Sequence, residues 1–310
     1  MIHRCKISIM KFTFLKISSF CLLILARPVT AQTIRIGSWN LEWLTSHGVD
    51  KFPQSQRQGE DFKRLSDYAI ALDAPIIALQ EVNDIEAATQ VFGSSYQIVL
   101  SSRSQAKHSA LQFNDINQYT GFALHHSVQL VANPPDLTLS STPSQKLRFG
   151  TYIIVRHKQQ NVHLLSVHLK AGCQKARTSS RSCNVLAEQA DQLNGWIQQR
   201  IEHNQPFILT GDFNHQLSYP NDWVMARIVA DTNQEISLDS RQSEATCAVK
   251  SNRDPNQTYR YSYLIDHMLS YKLKKHSSTQ QQNYALKDVI NYQMSDHCPI
   301  VTDYLIDLKG

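Results

Sequence analysis

The sequence predicts an α/β fold: antiparallel or mixed sheets with helices covering their outer faces. Three observations predict it. Nine short runs are rich in β-branched and aromatic residues, two longer stretches carry apolar residues at helical spacing, and many neighbouring runs are joined by loops too short for a crossover helix. No tandem repeat, low-complexity tract or Pro/Gly/Ser linker divides the chain, so one domain is expected.

In chain order, strands are expected over residues 34–40, 75–81, 96–100, 120–125, 149–156, 162–168, 207–213, 263–271 and 299–305. Phe62, Leu65, Ala69 and Leu72 lie three or four residues apart, which puts them on one face of a helix. Leu186, Ala190, Leu193, Ile197 and Ile201 repeat that spacing, with Asn184 as the expected cap. A shorter helix is expected over 223–229. Polar residues able to do chemistry fall where strands end: Asn40, Glu81, His168, Asp212 and Asp266. Strand ends project side chains from a rigid scaffold into loops, where sites are built.

Residues 1–31 read as an export signal. Arg4, Lys6, Lys11 and Lys16 precede a short apolar stretch, and Val29-Thr30-Ala31 is a small-residue cleavage site. The stretch is too short for a comfortable membrane span. The expected organisation is a signal peptide over 1–31 and a catalytic domain over 32–310, in a secreted or periplasmic protein without stable membrane association after cleavage. The formal net charge of +5 belongs to this segment. It holds five of the 31 Lys and Arg and none of the 26 Asp and Glu, which leaves 26 of each. A neutral remainder argues against a surface that is basic overall, so attraction to a polyanion must come from a local patch. Past the signal stand Cys173, Cys183, Cys247 and Cys298. An exported chain keeps disulfides. Cys173 and Cys183 flank a polar loop and are expected to pair. The other two pair or remain buried thiols. No C-x-x-C spacing favours zinc.

Six segments carry the chemistry: Ser38-Trp39-Asn40-Leu41-Glu42, Leu79-Gln80-Glu81-Val82, Ser166-Val167-His168-Leu169-Lys170, Thr210-Gly211-Asp212-Phe213-Asn214, Leu264-Ile265-Asp266-His267 and Ser295-Asp296-His297-Cys298. Singly each has a bland reading. An Asn or Asp after a strand is usually a turn former, and a His in an apolar run is usually a satisfied core residue. Together they make a set. Asn40, Glu81 and Asp296, with Glu42 as an addition, offer the oxygen ligands that Mg²⁺ or Mn²⁺ takes. Asp212 and Asn214 can hold a water. His168 and His297 can meet charge developing on phosphoryl oxygens, and Asp266 can hold His297 charged.

The ordered set W-N-x-E, Q-E, H-L-K, G-D-F-N, I-D-H and S-D-H resembles the endonuclease/exonuclease/phosphatase superfamily from Trp39 to His297. That group includes deoxyribonuclease I, exonuclease III-type abasic endonucleases, neutral sphingomyelinases and inositol polyphosphate 5-phosphatases. The resemblance implies a four-layered α/β sandwich, with two mixed β-sheets face to face flanked by helices. It implies metal-site roles for Asn40, Glu81 and Asp296, and contact of His168 with the scissile phosphate. Asp212 would orient or deprotonate the attacking water with support from Asn214, and Asp266 would pair with His297. In-line attack of water without a covalent intermediate follows from the same resemblance.

The resemblance leaves the substrate open. The segment from Lys170 to Cys183 holds Lys170, Lys175, Arg177 and Arg181 and no acid. It is expected to form a disulfide-tied basic flap, with Lys170, Arg177 and Arg181 as substrate contacts. Tyr119 and Arg148 precede strands beside the site and are further candidates. A monomeric, metal-dependent nuclease acting on nucleic acid leads these readings. A lipid phosphodiesterase of sphingomyelinase type stands lower, since no obvious aromatic or amphipathic docking segment is visible. A small-molecule phosphatase, or a non-catalytic binding protein on the same scaffold, completes the alternatives.

Overall fold

The computed structural model describes residues 32–139, 146–157, 160–233, 235–251, 254 and 256–306. The expected signal, residues 1–31, lies outside the described residues. The first half of the chain forms β1 (Gln32–Leu44), α1 (Gly59–Leu72), β2 (Ile76–Val82), α2 (Ile85–Phe92), β3 (Tyr96–Leu100), β4 (Tyr119–His125), β5 (Gln129–Ala132), β6 (Leu137–Thr138) and β7 (Phe149–His157). Then come β8 (Gln160–His168), α3 (Arg181–Glu202), β9 (Phe207–Asp212), α4 (Trp223–Ile228), β10 (Ser237–Leu238), β11 (Ala248–Lys250) and β12 (Thr258–Arg260). The last elements are β13 (Asp266–Tyr271), β14 (Lys274–Lys275), β15 (Gln280–Gln281), α5 (Leu286–Asn291) and β16 (Ile300–Ile306).

Among the described residues the strands form two large mixed sheets and one small ribbon. One sheet runs β14-β16-β1-β2-β4-β3, with β15 also on β16; the other runs β10-β13-β9-β8-β7-β5, with β6 on β7. Each has a parallel pair at its centre, β1 with β2 and β8 with β9, flanked by antiparallel neighbours. β11 and β12 pair with each other.

Three apolar seams make this a four-layered α/β sandwich. Phe62, Leu65 and Leu72 of α1 and Val91 of α2 pack on Trp39, Ile77 and Leu79 of the first sheet. Leu186, Ala190, Leu193 and Ile197 of α3 and Val224 of α4 pack on Leu165, Val167 and Leu209 of the second. Between the sheets lie Ile34, Ile36, Ile76, Phe122, Val162, Leu164 and Ile208. The period of two explains how one strand serves two seams: Ile76 and Ala78 face the second sheet, while Ile77 and Leu79 face the helices.

Two expectations are corrected and one helix is added. Ser180, not Asn184, caps α3, its hydroxyl accepting from the Cys183 N–H at 3.2 Å. The strand expected from residue 263 begins at Asp266, so Asp266 opens a strand rather than closing one. Because β13 is antiparallel to β9, its start lies at the same end of the sheet as the end of β9, with Asp266 opposite Asp212. The helix α2 had not been expected; Asp84 caps it, accepting from the Ala87 N–H at 2.8 Å. No helix among the described residues is long and apolar enough to cross a membrane.

Candidate active site

The period that fills the inter-sheet seam also builds the site. On the face that carries Ile34 and Ile36, β1 continues to Ser38 and Asn40. β2 runs from Ile76 and Ala78 to Gln80, β8 from Val162 and Leu164 to Ser166 and His168, and β9 from Ile208 to Thr210 and Asp212. The seam therefore turns polar at one end. Gln80 bridges the sheets there, donating to Ser166 Oγ at 3.1 Å. All these polar side chains are buried.

Asp212 is the hub. Its Oδ2 accepts from Asn40 Nδ2 at 3.0 Å and Asn214 Nδ2 at 3.1 Å, and its Oδ1 accepts from the Asn214 N–H at 2.7 Å. Oδ2 also stands 3.4 Å from His168 Nε2 and 3.9 Å from His297 Nε2. Burial pushes the Asp212 carboxyl up to about 7; His297 opposes this, while Asp266 and Glu81 add to it. A carboxylate at that value suits proton transfer near neutral pH. Gly211 beside it is fixed by sterics. Its φ is +142°, and a Cβ there would sit 2.0 Å from the Val167 carbonyl oxygen.

The two histidines divide. His297 Nδ1 donates to Asp266 Oδ2 at 2.7 Å. Burial works against its charge, but Asp266, Asp296 and Asp212 outweigh burial and hold the imidazolium well above the ordinary range. His168 goes the other way: burial and then Arg148 push it well below. Arg148 Nη2 lies 3.2 Å from His168 Nε2. An arginine can only donate, so Nε2 accepts and the proton sits on Nδ1. His168 is thus a neutral hydrogen-bonding group, and the cation on its side of Asp212 is Arg148.

Asn40, Glu42, Glu81 and Asp296 come together as the sequence suggests. Asn40 Nδ2 donates to Glu81 Oε1 at 3.3 Å, and the Asp296 N–H donates to Glu42 Oε2 at 3.0 Å. Burial, then Asp296, pushes Glu42 up to about 8 against the opposing Arg57, and burial raises Glu81. Among the described residues no three His, Cys, Asp or Glu side chains form a ready-made metal cage. The donors are all hard oxygens, however, and the buried carboxyls of Glu42 and Glu81 are pushed toward protonation. Both features fit a divalent cation that keeps several waters. Left-handed backbone occurs here at Glu42 (φ 44°), Trp43 (φ 53°), Glu81 (φ 59°) and Asn214 (φ 51°).

Sequence reasoning missed the brace. Arg57 is buried and donates to the carbonyls of Leu41, Glu42, Gln293 and Met294, tying the Glu42 bulge to the loop before Asp296. Ser295 Oγ donates to the Asn40 carbonyl at 2.7 Å. Carbonyl partners leave no motif, so neither role had a signal.

The disulfides are Cys173–Cys183 and Cys247–Cys298. The Cys173–Cys183 bond closes the expected loop, but its cations divide. Lys175 lies over the Tyr263 ring at 4.5 Å, while Arg177 stacks on Trp223 of α4 and Arg181 begins α3. Neither arginine lines the pockets that carry His297, Asp296 or Arg148, and Lys170 lines the last of these. Tyr119 is buried beneath Arg103. A pocket of about 350 Å³ beside His297 and Asp296 is lined by Tyr259, Tyr261 and Tyr263. Tyr259 and Tyr261 are exposed, so an aromatic segment unforeseen in the sequence stands next to the centre.

A family model described as the endonuclease/exonuclease/phosphatase family matches residues 37–297. Among curated proteins, none matches the chain. Solved structures do. An endonuclease/exonuclease/phosphatase from Bacteroides vulgatus is 13% identical, with TM-score 0.66 over 89% of this chain and 100% of that one. TDP2 from C. elegans is 14% identical, with TM-score 0.62 over 91% and 78%. D. rerio TDP2, solved with a single-strand DNA product, is 16% identical, with TM-score 0.59 over 88% and 98%. At such identities the likeness is one of fold.

Proposed function

The chain belongs to the endonuclease/exonuclease/phosphatase family, and on that premise we propose that it is an exported, divalent-metal-dependent phosphodiesterase whose main substrate is nucleic acid. The observation that carries the reading is the hub at Asp212: a carboxyl near pH 7, between a charged His297 and a His168–Arg148 pair.

Asp212 takes the proton of the attacking water, which Asn214 helps to orient. The water oxygen bonds to phosphorus as the ester oxygen leaves in line. His297, held charged by Asp266, donates to a phosphoryl oxygen, and Arg148, positioned by His168 Nε2, holds the others as charge develops. Asn40, Glu42, Glu81 and Asp296 would hold Mg²⁺ or Mn²⁺, which when bound supplies positive charge to the reacting phosphate. The single-strand DNA product in the D. rerio TDP2 structure supports nucleic acid as the substrate class. The two disulfides support an exported protein.

The test is plasmid nicking by residues 32–310 with Mg²⁺ or Mn²⁺, with chelator, and with Asp212→Ala. Metal-dependent nicking lost in the variant is expected. The exposed Tyr259 and Tyr261 favour one second reading, a lipid phosphodiester. Absent nicking with hydrolysis of sphingomyelin vesicles would replace the first reading with it.

A further inference from the structure

A second pocket, of about 230 Å³, meets the centre at Arg148. Four cations line it, Arg103, Lys146, Arg148 and Lys170, together with the rings of Trp43 and Phe113; no carboxylate does. Each cation is spent on neutral oxygens. Arg103 donates to the Leu111 carbonyl at 3.1 and 2.7 Å, Lys146 to the Gln112 carbonyl at 2.6 Å, and Lys170 to the Ala171 carbonyl at 3.0 Å. Arg148 donates to Gln118 Oε1 at 2.5 Å and feels Glu81 and Asp212 only at longer range. Among the described residues none of the four stands in an ion pair.

This is an unusual charge arrangement. Arg103 is 1% exposed, and a buried guanidinium is ordinarily matched by a carboxylate. Burial pushes both Arg103 and Arg148 down from their ordinary range, which is the cost of leaving them uncompensated. Four positive groups around one small space make it an anion site, and guanidinium groups beside ammonium groups suit phosphate. The rings narrow the anion further. Phe113 is 52% exposed, with Arg103 and Lys146 at 5.9 and 5.2 Å from its ring. An open aromatic face flanked by cations takes a stacked base.

We propose that this pocket binds the phosphate adjacent to the scissile one on a nucleic-acid strand, so that the enzyme selects substrates carrying at least two phosphates. The inference rests on the proposed phosphodiesterase reading and adds a subsite to it. Arg148 joins the two phosphates, touching His168 on one side and lining the pocket on the other.

The experiment compares kcat/KM for a two-thymidine substrate with one phosphodiester against the same molecule bearing an extra phosphate at one end or the other. One extra phosphate is expected to raise kcat/KM by ~10-fold or more in the wild-type protein, the scale of charge-assisted hydrogen bonds. In Lys146→Gln, and in Lys146→Gln with Phe113→Ala, that ratio should fall toward one. The ratio is internal to each variant, so a general loss of fold or turnover leaves it unmoved. A wild-type ratio near one at both ends overturns the subsite, while cleavage of the plain substrate upholds the chemistry. A ratio that survives both variants overturns the subsite as well. Turnover of bis(nitrophenyl) phosphate without cleavage of any thymidine substrate keeps the phosphodiesterase and removes the subsite; turnover of neither removes both.

Discussion

The seam between the two sheets has two ends built from the same strands, and they differ only in chemistry. At one end Ile36, Ile76, Val162, Leu164 and Ile208 are buried among apolar neighbours; at the other Asn40, Gln80, Ser166, His168, Thr210 and Asp212 are buried just as deeply. Burial of the first set stabilises the fold. Burial of the second costs free energy, which hydrogen bonds must offset. They do so across the sheets, Gln80 to Ser166 and Ser166 Oγ to the Leu79 carbonyl at 3.0 Å, and within the second sheet, Thr210 Oγ1 to the His267 carbonyl at 3.0 Å. Both disulfides also lie at the polar end, one just beyond β8 and the other on the residue after His297. Packing holds one end; hydrogen bonds and covalent links hold the other.

The sharpest test separates the two ends. Asp212→Asn keeps shape and should reduce turnover by ~10²–10⁴ while the thermal midpoint moves by only a few degrees. Phe122→Ala, in the apolar seam, should cost about 3–5 kcal/mol in denaturant unfolding and leave turnover per folded molecule near normal. Equal losses of stability in both variants would erase the distinction.

The covalent links come next. In the chain-entropy picture the Cys247–Cys298 loop, with a separation of 51, contributes about 4 kcal/mol, and the Cys173–Cys183 loop, with a separation of 10, about 3 kcal/mol. Replacing each pair by serine should lower stability in that order. Activity should be most sensitive to loss of Cys247–Cys298, because Cys298 adjoins His297. A pair of variants as stable as wild type would mean that hydrogen bonds alone hold the polar end.

The sequence made much of this legible, for a physical reason. Strands announce themselves by period and composition, and the site residues sit at the ends of those periods: Asn40, His168 and Asp212 each extend an apolar alternation by one or two steps. What stayed hidden depends on partners remote in sequence. Arg57 binds carbonyls on both sides of the site, and carbonyls carry no residue identity. The cations Arg103, Lys146 and Arg148 are spread over 45 positions and converge only in three dimensions. The flap misled in the opposite direction, because clustering in sequence did not aim Arg177 at a pocket once Trp223 offered it a ring. Segments dense in charge were easier to notice than charges the fold gathers.

The smallest expected effect tests the contrast between the two histidines. Asp266, Asp296 and Asp212 raise the His297 pKa above its ordinary 6.5. Its charged form is therefore complete below 6.5 and is lost only as pH rises through the raised value. Asp266→Asn removes one of the charges that keep it raised, so the alkaline limb of the pH–rate profile should move to lower pH. Turnover at pH 8 should fall by ~10–10²-fold, with a smaller deficit at pH 6, where His297 stays protonated. His168 is already neutral, held so by burial and Arg148, and should add no limb of its own in this range. A deficit independent of pH would assign Asp266 to orienting the imidazole rather than charging it. The hydrogen bond at 2.7 Å would then matter for its direction, and the positive charge at the centre would rest on Arg148 instead.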